Sequence, residues 1–288
     1  DVSQLPSVGA GNVLTELILS RSVPVTSLKT VFRQSEMSGI LSNSRQIRKG
    51  GDVEFTDDFQ FKTVNATTGY VIDELQEYVA ARFNKRVYDL SNSELKQLGD
   101  EFQVLSPYRK KGEMSVASLN KAIQSVLFRR KEYDVKFKLK GDVHLYIGDK
   151  VINTVNTKNV MNGEIGYVKD ITNEGSIAIV EFERETVSVG KVKNIQSADG
   201  ESSELELELA YALTVHKSQG SEYKEVVMPM VKEHAGMLSR KLIYTAVTRA
   251  REKVVLIGDP SVLSAGVKND REVRRNSLLS KFLAKELE

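Results

Sequence analysis

The feature that most restricts the fold is a repeated alternation between short apolar runs and longer amphipathic stretches. Residues 226–228 and 254–257 are compact apolar runs of the kind found in strands buried on both faces, and residues 102–105 are apolar except for Gln103. Residues 69–83 and 115–130 instead carry apolar side chains at helical spacing. Because strands that alternate with helices pair in parallel and are covered by those helices, the sequence predicts an α/β fold.

The alternation stops near Arg129 and resumes after residue 204. Short strand-like runs follow one another through residues 147–192, with turn residues such as Gly163 and Gly175 between them. This pattern predicts a small β-barrel inserted into the α/β domain. The acidic run 201–208 alternates with leucines at 205, 207 and 209, which predicts a strand that re-enters the main sheet with one face buried.

Composition limits the remaining possibilities. A chain of 288 residues is long enough for two domains. The absence of cysteine excludes disulfides and thiolate metal sites, and it fits a cytoplasmic protein. No apolar run approaches the roughly 18 residues of a membrane-spanning helix, and no signal peptide is expected. The net charge is +2, so any nucleic-acid surface must be local.

A polar motif occupies residues 214–222, with the sequence Thr-Val-His-Lys-Ser-Gln-Gly-Ser-Glu. It follows an apolar run, it is rich in hydrogen-bonding side chains, and Gly220 lies near its end. Such a turn lets side chains and backbone N–H groups converge on a phosphate or a base. A second motif, residues 244–251, continues an apolar helical stripe that reaches Ala250.

Arginine and threonine lie off that stripe in the second motif, at Thr245, Thr248, Arg249 and Arg251. An arginine presented by a helix beside a polar turn brings a fixed cation to a nucleotide phosphate. Taken alone, the pattern also fits an amphipathic helix with solvated arginines.

Together the two motifs resemble motifs V and VI of the superfamily one helicases, and in detail the RecD-like branch that moves 5′ to 3′ on single-stranded DNA. Residues 1–9 resemble motif III, from which the leading glycine is missing. A predicted strand at 25–32 that ends in Arg33 resembles motif IV, and the loop 106–112 resembles the extra DNA-holding motif of the RecD branch. The chain begins at Asp1 rather than Met, and we expect it to be a fragment from motif III onward.

The resemblance implies a division of the chain and a set of partners. Residues 1–22 are expected to be the tail of a first RecA-like domain, residues 23–134 and 205–288 a second RecA-like domain, and residues 135–204 an inserted SH3-like barrel. The expected ligands are ATP with Mg²⁺, whose metal ligands belong to the first RecA-like domain of the same protein, and single-stranded DNA. No metal-binding residue is expected in this chain and no membrane is expected as a partner.

The resemblance also implies roles for individual residues. Arg249 is the expected arginine finger, Arg33 a second γ-phosphate contact and Gln4 a γ-phosphate sensor. The expected nucleotide-binding residues are Gln219, Gly220 and Glu222. The expected DNA-binding residues are Pro6, Ser7, Val8, Ser106, Arg109, Thr214, His216 and Lys217.

The implied function is that of the C-terminal motor half of an ATP-dependent 5′-to-3′ DNA helicase, acting in DNA repair or replication. A nucleic-acid-binding or partner-docking module that lacks motor activity is the alternative. The inserted barrel could guide DNA, dock a partner or be an inert insert. A metabolic nucleotide-binding enzyme is disfavoured, because no dinucleotide-type glycine fingerprint opens a strand–helix unit.

One departure from the helicase pattern leads to a prediction. The chain contains no Gly-x-x-x-x-Gly-Lys-Ser/Thr sequence, since Gly190-Lys191 is followed by Val192 without the glycine spacing. We therefore expect these 288 residues alone not to hydrolyse ATP. Phosphate release measured with and without single-stranded DNA checks this. DNA-stimulated turnover that is abolished by Arg249→Ala would contradict it.

Overall fold

The computed structural model describes residues 1–6, 9, 11–28, 37–65, 67–83, 92–127, 135–139, 142–190, 205–270 and 277–285. Its helices, in chain order, are α1 (Val13–Ser20), α2 (Gly39–Lys49), α3 (Thr68–Arg82), α4 (Asn92–Glu101), α5 (Val116–Leu127), α6 (Arg240–Val247), α7 (Pro260–Lys268) and α8 (Leu279–Lys285). Its strands are β1 (Phe59–Thr63), β2 (Phe102–Ser106), β3 (Phe137–Lys138), β4 (His144–Leu145), β5 (Lys150–Asn153), β6 (Ile165–Thr172), β7 (Ile177–Phe182), β8 (Thr186–Gly190), β9 (Leu207–Leu209), β10 (Ala212–Thr214), β11 (Tyr223–Met230) and β12 (Ala250–Gly258).

A five-stranded parallel sheet with the order β1-β12-β11-β2-β10 forms the centre of the α/β part. Successive side chains of β12 enter different cores, because side chains alternate between the two faces of a strand. Val255 and Ile257 pack in a cluster with residues of α3 and α5, whereas Val254 and Leu256 pack with residues of α2, α6 and α7. Helices therefore cover both faces, and the predicted parallel sheet with its covering helices is confirmed.

The second sheet is antiparallel, with the order β8-β7-β6-β5-β9, and it occupies the place of the predicted small barrel. The turn glycines Gly163 and Gly175 have φ values of +95° and +89°, which only glycine adopts without strain. One strand prediction is wrong. The leucines near residue 207 form β9, which pairs with β5 in this second sheet through Val151↔Leu209, and the chain joins the main sheet only at Ala212.

A buried polar junction joins the two sheets. The Asp149 carboxylate has no exposed surface and accepts hydrogen bonds from Gln124 Nε2 (2.6 Å) and Tyr211 Oη (2.8 Å). Next to it, Lys150 Nζ donates to Gln103 Oε1 at 2.9 Å, and burial lowers the pKa of Lys150 to about 8. Gln103 lies on β2 and Tyr211 directly precedes β10, so the junction fixes the inserted sheet to the main sheet.

The N-terminal residues pack against the C-terminal helix. Ser280 N–H donates to Glu16 of α1 at 3.1 Å, and Ser22 Oγ donates to the Leu283 carbonyl at 3.1 Å. Residues 25–28 form no strand, and Leu28 is 92% exposed, so the described part of the predicted strand 25–32 is not present as a strand. The rest of that segment, including Arg33, lies outside the described residues. In the described part of the chain, no helix is long and apolar enough to cross a bilayer.

The junction generates a stability prediction. Asp149→Ala removes the acceptor for Gln124 and Tyr211 and leaves both side chains buried without it. We expect the free energy of unfolding to fall by about 3 kcal/mol, since unsatisfied buried polar groups are costly. Urea denaturation measures the change. Asp142→Ala, at an exposed position nearby in sequence, is the control and should shift it by less than about 0.5 kcal/mol.

Candidate functional site

The polar turn 215–222 connects β10 to β11. Both strands belong to the same parallel sheet, so the turn starts at the carboxyl edge of the sheet and ends at its amino edge. The first half of the predicted motif therefore lies at the carboxyl edge of the sheet, and its second half lies at the amino edge. The candidate site is consequently divided between these two edges.

At the carboxyl edge, Thr214 shapes the start of the turn. Its Oγ1 accepts a hydrogen bond from Lys217 N–H at 3.2 Å, and its carbonyl accepts one from Ser218 N–H at 3.1 Å. Ser218 is fully buried and donates to the Val215 carbonyl. His216 is half-buried, and burial lowers its pKa, which favours the neutral imidazole. Thr214 and His216 thus both belong to the carboxyl-edge half of the turn, and their DNA contact stays a prediction.

The loop after β2 lies beside this turn, because Thr214 is the register partner of Ser106. Ser106 is fully buried, and its hydroxyl donates to the Met114 carbonyl at 2.7 Å. That is a correction to the predicted DNA contact: the hydroxyl organises the loop and does not face solvent. Arg109 is exposed as expected, but its Nη2 donates to Glu208 Oε1 at 2.5 Å, on β9 of the inserted sheet.

Lys217 lies in the same region with its ammonium group inside the protein. Among the described residues, its Nζ is one of two buried side-chain nitrogen or oxygen atoms without a hydrogen-bond partner, the other being Glu225 Oε1. Burial lowers the pKa of Lys217, the Glu208 carboxylate raises it, and the Arg109 guanidinium lowers it.

Two residues that carried no sequence signal anchor the loop after β2. Glu233 Oε1 accepts a hydrogen bond from Met114 N–H at 2.7 Å. His234 is fully buried, with Nε2 at 3.2 Å from the Met114 carbonyl and Nδ1 at 3.3 Å from the Pro229 carbonyl. Burial is the largest influence on the pKa of His234 and lowers it. A lone histidine after a strand has no distinguishing pattern, so the sequence left it unassigned.

At the amino edge, Arg249 differs from its predicted setting. Helix α6 ends at Val247, and Arg249 lies in the turn that leads into β12 rather than on the helix. It is only 4% exposed. Its Nε donates to the Thr245 carbonyl (3.2 Å), its Nη1 to the Ser221 carbonyl (3.3 Å) and its Nη2 to Gln4 Oε1 (3.2 Å). The guanidinium thus joins three segments of the chain.

The N-terminal segment is held against these two motifs by further hydrogen bonds. Leu5 N–H donates to Thr245 Oγ1 at 2.8 Å, and Gln219 Nε2 donates to the Leu5 carbonyl at 2.9 Å. Thr245, which the sequence predicts off the apolar stripe, is fully buried. Its hydroxyl is satisfied there because it also donates a hydrogen bond to the Lys241 carbonyl within the helix. Pro6 is half-buried, whereas Ser7 and Val8 lie outside the described residues.

An open surface lies on both sides of Ser221, the residue whose carbonyl accepts a hydrogen bond from Arg249. Gly220 has a φ of +88°, and no atom lies within 4 Å of the place where a Cβ would stand. Glu222, two residues further on, is exposed. An open glycine backbone beside a buried cation and a glutamine suits an anionic ligand such as a nucleotide phosphate. In the described residues, no group of three or more His, Asp or Glu side chains is placed to hold a metal ion.

The structure thus brings the predicted residues together in two groups. Gln4, Gln219, Gly220, Glu222 and Arg249 lie at or near the amino edge of the sheet, whereas Arg109, Thr214, His216 and Lys217 lie near the carboxyl edge.

Comparison with known proteins places these motifs in a family. Residues 209–257 match the UvrD-like helicase C-terminal domain, and residues 119–182 match the SH3 domain of ATP-dependent RecD-like DNA helicases. The ATP-dependent RecD2 DNA helicase of Deinococcus radiodurans is 33% identical over 99% of this chain and 35% of its own length. The RecBCD enzyme subunit RecD of Mycolicibacterium smegmatis is 28% identical over 98% of this chain and 48% of its own length.

A solved structure has the same fold. The Pif1 helicase from Bacteroides, in complex with ADP-AlF3 and single-stranded DNA, superposes with a TM-score of 0.51 at 18% identity. The superposition covers 89% of this chain and 60% of that chain. This chain spans between about a third and a half of the length of the two RecD helicases named above. Two helicase domain models match this chain, and RecD helicases align along nearly its whole length, so the chain is similar to part of the RecD-like helicases.

Proposed function

We propose that the chain is the C-terminal motor half of an ATP-dependent 5′-to-3′ DNA helicase, which couples ATP hydrolysis to translocation on single-stranded DNA and to duplex unwinding. The observation that carries the proposal is the hydrogen bond between Arg249 Nη2 and Gln4 Oε1. It brings the proposed arginine finger and the proposed γ-phosphate sensor, 245 residues apart in sequence, to one place.

The nucleotide side of the proposal uses the amino edge of the sheet. Arg249 would neutralise negative charge that develops on the transferred phosphoryl group, which is the role of an arginine finger. Gln4 both donates and accepts hydrogen bonds, so its amide suits a phosphate oxygen or a water. Gln219, Gly220 and Glu222 would contact the rest of the nucleotide. In this proposal the phosphate-binding loop and the Mg²⁺ ligands come from an N-terminal RecA-like domain of the same cytoplasmic protein.

The DNA side of the proposal uses the carboxyl edge. Arg109 and Lys217 supply positive charge for the phosphates of single-stranded DNA, and Thr214 and His216 supply polar contacts. Pro6, Ser7 and Val8 would add contacts from the motif III loop. Arg33 remains the proposed second γ-phosphate contact.

Coupling between the two ligands would pass through the turn 215–222, since its ends lie at the two edges of the sheet. Gln219 of this turn holds Leu5, which belongs to the segment that we assign to the first RecA-like domain. Closure of that domain on ATP would therefore pull on a turn that also shapes the DNA edge. The proposed domains are 1–22, then 23–134 with 205–288, and the insert 135–204.

A nucleic-acid-binding or partner-docking module without motor activity is the competing proposal. The buried, fully oriented guanidinium of Arg249 favours the motor, because surface docking does not require a cation beside an open glycine turn. The two proposals differ in their ATPase prediction.

The motor proposal predicts a specific loss of ATP hydrolysis. In a polypeptide that also carries the phosphate-binding loop, Arg249→Ala and Arg249→Lys should lower the DNA-stimulated rate by about 10³-fold, because only the arginine fork reaches and neutralises the transition state. Single-stranded DNA affinity should change little. A coupled phosphate-release assay and fluorescence anisotropy measure the two quantities.

Arg251→Ala is the matched control for this experiment. Arg251 is two residues away and exposed, so its removal should alter the rate by less than about twofold. Equal effects of the Arg249 and Arg251 variants on hydrolysis would reject the arginine-finger assignment. Normal hydrolysis by Arg249→Ala would reject it as well, whereas a wild type without DNA-stimulated hydrolysis would favour the docking alternative.

The anchoring of the N-terminal segment gives another prediction. Thr245→Val keeps the shape of the buried side chain but removes the acceptor for Leu5 N–H. We expect the Leu5 amide to exchange its hydrogen about fivefold faster, which corresponds to the net contribution of about one hydrogen bond. Hydrogen exchange followed by NMR measures this. In the control Thr248→Val, the Leu5 amide should exchange as in the wild type; an unchanged Leu5 rate in Thr245→Val would contradict the proposed anchor.

A further inference from the structure

The carboxylate of Glu208, on the inserted sheet, forms an ion pair with Arg109 at the proposed DNA-binding edge. Glu208 Oε1 lies 2.5 Å from Arg109 Nη2, and the two side chains are 37% and 51% exposed. Lys217 lies three residues after Thr214, the register partner of Ser106, and therefore on the turn beside the loop of Arg109; its Nζ is buried without a hydrogen-bond partner. The ion pair and the unpartnered ammonium group thus belong to adjoining segments at the carboxyl edge.

The lysine is unsatisfied in this arrangement. A buried ammonium group without a partner is costly, and that cost falls when an anion comes within hydrogen-bond distance. Glu208 already uses Oε1 for the guanidinium of Arg109. A DNA phosphate has two non-bridging acceptor oxygens, and neither is held by the protein beforehand, so one phosphate can bind Arg109 and Lys217 together.

We propose that Glu208 sets the strength of the DNA grip: its carboxylate binds Arg109 when DNA is absent, and a phosphate of single-stranded DNA displaces it and binds both Arg109 and Lys217. This inference rests on the proposed function, because it assigns the competing group at the same DNA-binding edge. The resemblance to the helicase motifs implies no role for Glu208.

The ion pair is suited to such an exchange. An exposed carboxylate–guanidinium pair is weak, because water solvates both partners well, whereas an arginine–phosphate pair is charge-assisted and often bidentate. After displacement, the carboxylate stays close to the bound phosphate. It repels the phosphate and limits the affinity, which suits a motor that must release each phosphate in order to advance.

The backbone around Glu208 keeps the carboxylate in place. β9 pairs with β5 through Ile152↔Glu208, and Asn120 Nδ2 of α5 donates to the Leu209 carbonyl at 2.9 Å. Only the side chain of Glu208 is therefore free to move away when a phosphate arrives. If Glu208 instead oriented Arg109 for DNA, removing the carboxylate would weaken DNA binding rather than strengthen it.

The test compares the 288-residue chain with its Glu208→Gln variant, using a fluorescein-labelled oligo-dT and anisotropy at several NaCl concentrations. We expect Glu208→Gln to bind about two- to fivefold more tightly, which is the usual strength of an exposed ion pair. The slope of log Kobs against log salt should stay the same, because the phosphate makes the same contacts in both proteins once the carboxylate has been displaced.

Two control variants make the outcome specific. Glu183→Gln removes the same charge at an exposed position in the turn between β7 and β8, and it should leave the affinity unchanged. In the Arg109→Ala background, Glu208→Gln should tighten binding less than it does in the wild-type background, because the ion pair that the phosphate must displace is absent.

Weaker or unchanged binding by Glu208→Gln overturns the proposal, as does a gain that persists in full without Arg109. In those cases the wild-type chain still binds DNA, and the proposed function stands. If neither the wild type nor any variant binds the oligonucleotide at low salt, the proposed DNA-binding function fails, and this inference fails with it.

Discussion

The candidate site depends on a buried guanidinium. Arg249 is almost fully removed from solvent, and a charge in that position is tolerated only where acceptors surround it. Three of those acceptors come from α6, from the turn 215–222 and from the N-terminal segment, through Thr245, Ser221 and Gln4. The relative positions of three sequence motifs are thus tied to the hydrogen-bonding geometry of one side chain.

Strand direction then decides how the two halves of the site are related. Because β10 and β11 are parallel, the turn between them must run from the carboxyl edge to the amino edge of the sheet. Thr214 and Gln219, only five residues apart, consequently contact different parts of the chain: Thr214 shapes the turn beside the loop after β2, whereas Gln219 holds Leu5. A short segment with hydrogen bonds at both ends is well placed to transmit a displacement, since packed interiors respond to strain as units.

The main sheet could be predicted from the sequence because burial on both faces leaves a continuous apolar run, as in Val254–Ile257. The strand at Leu207–Leu209 was placed in the wrong sheet, since period-two alternation shows that one face is buried but not against which sheet. The end of α6 was missed because Ala250, already in β12, continues the apolar stripe of the helix. Burial of Ser106 depends on the Met114 carbonyl, eight residues away, which no local pattern encodes.

The inserted sheet is connected to the site by covalent continuity as well as by packing. The chain leaves β9, passes Ala210 and Tyr211, and enters β10, whose last residue, Thr214, begins the polar turn. Gln103 Nε2 on β2 donates to the carbonyls of Ala210 and Tyr211, at 3.1 Å and 2.9 Å, so this short link is held by the main sheet. Any rotation of the insert must therefore strain these hydrogen bonds or move β10. An insert without a role in the site would not need these hydrogen bonds to the main sheet. Because the insert is held to the strand that leads into the turn 215–222, its movement can alter the distance between Glu208 and Arg109.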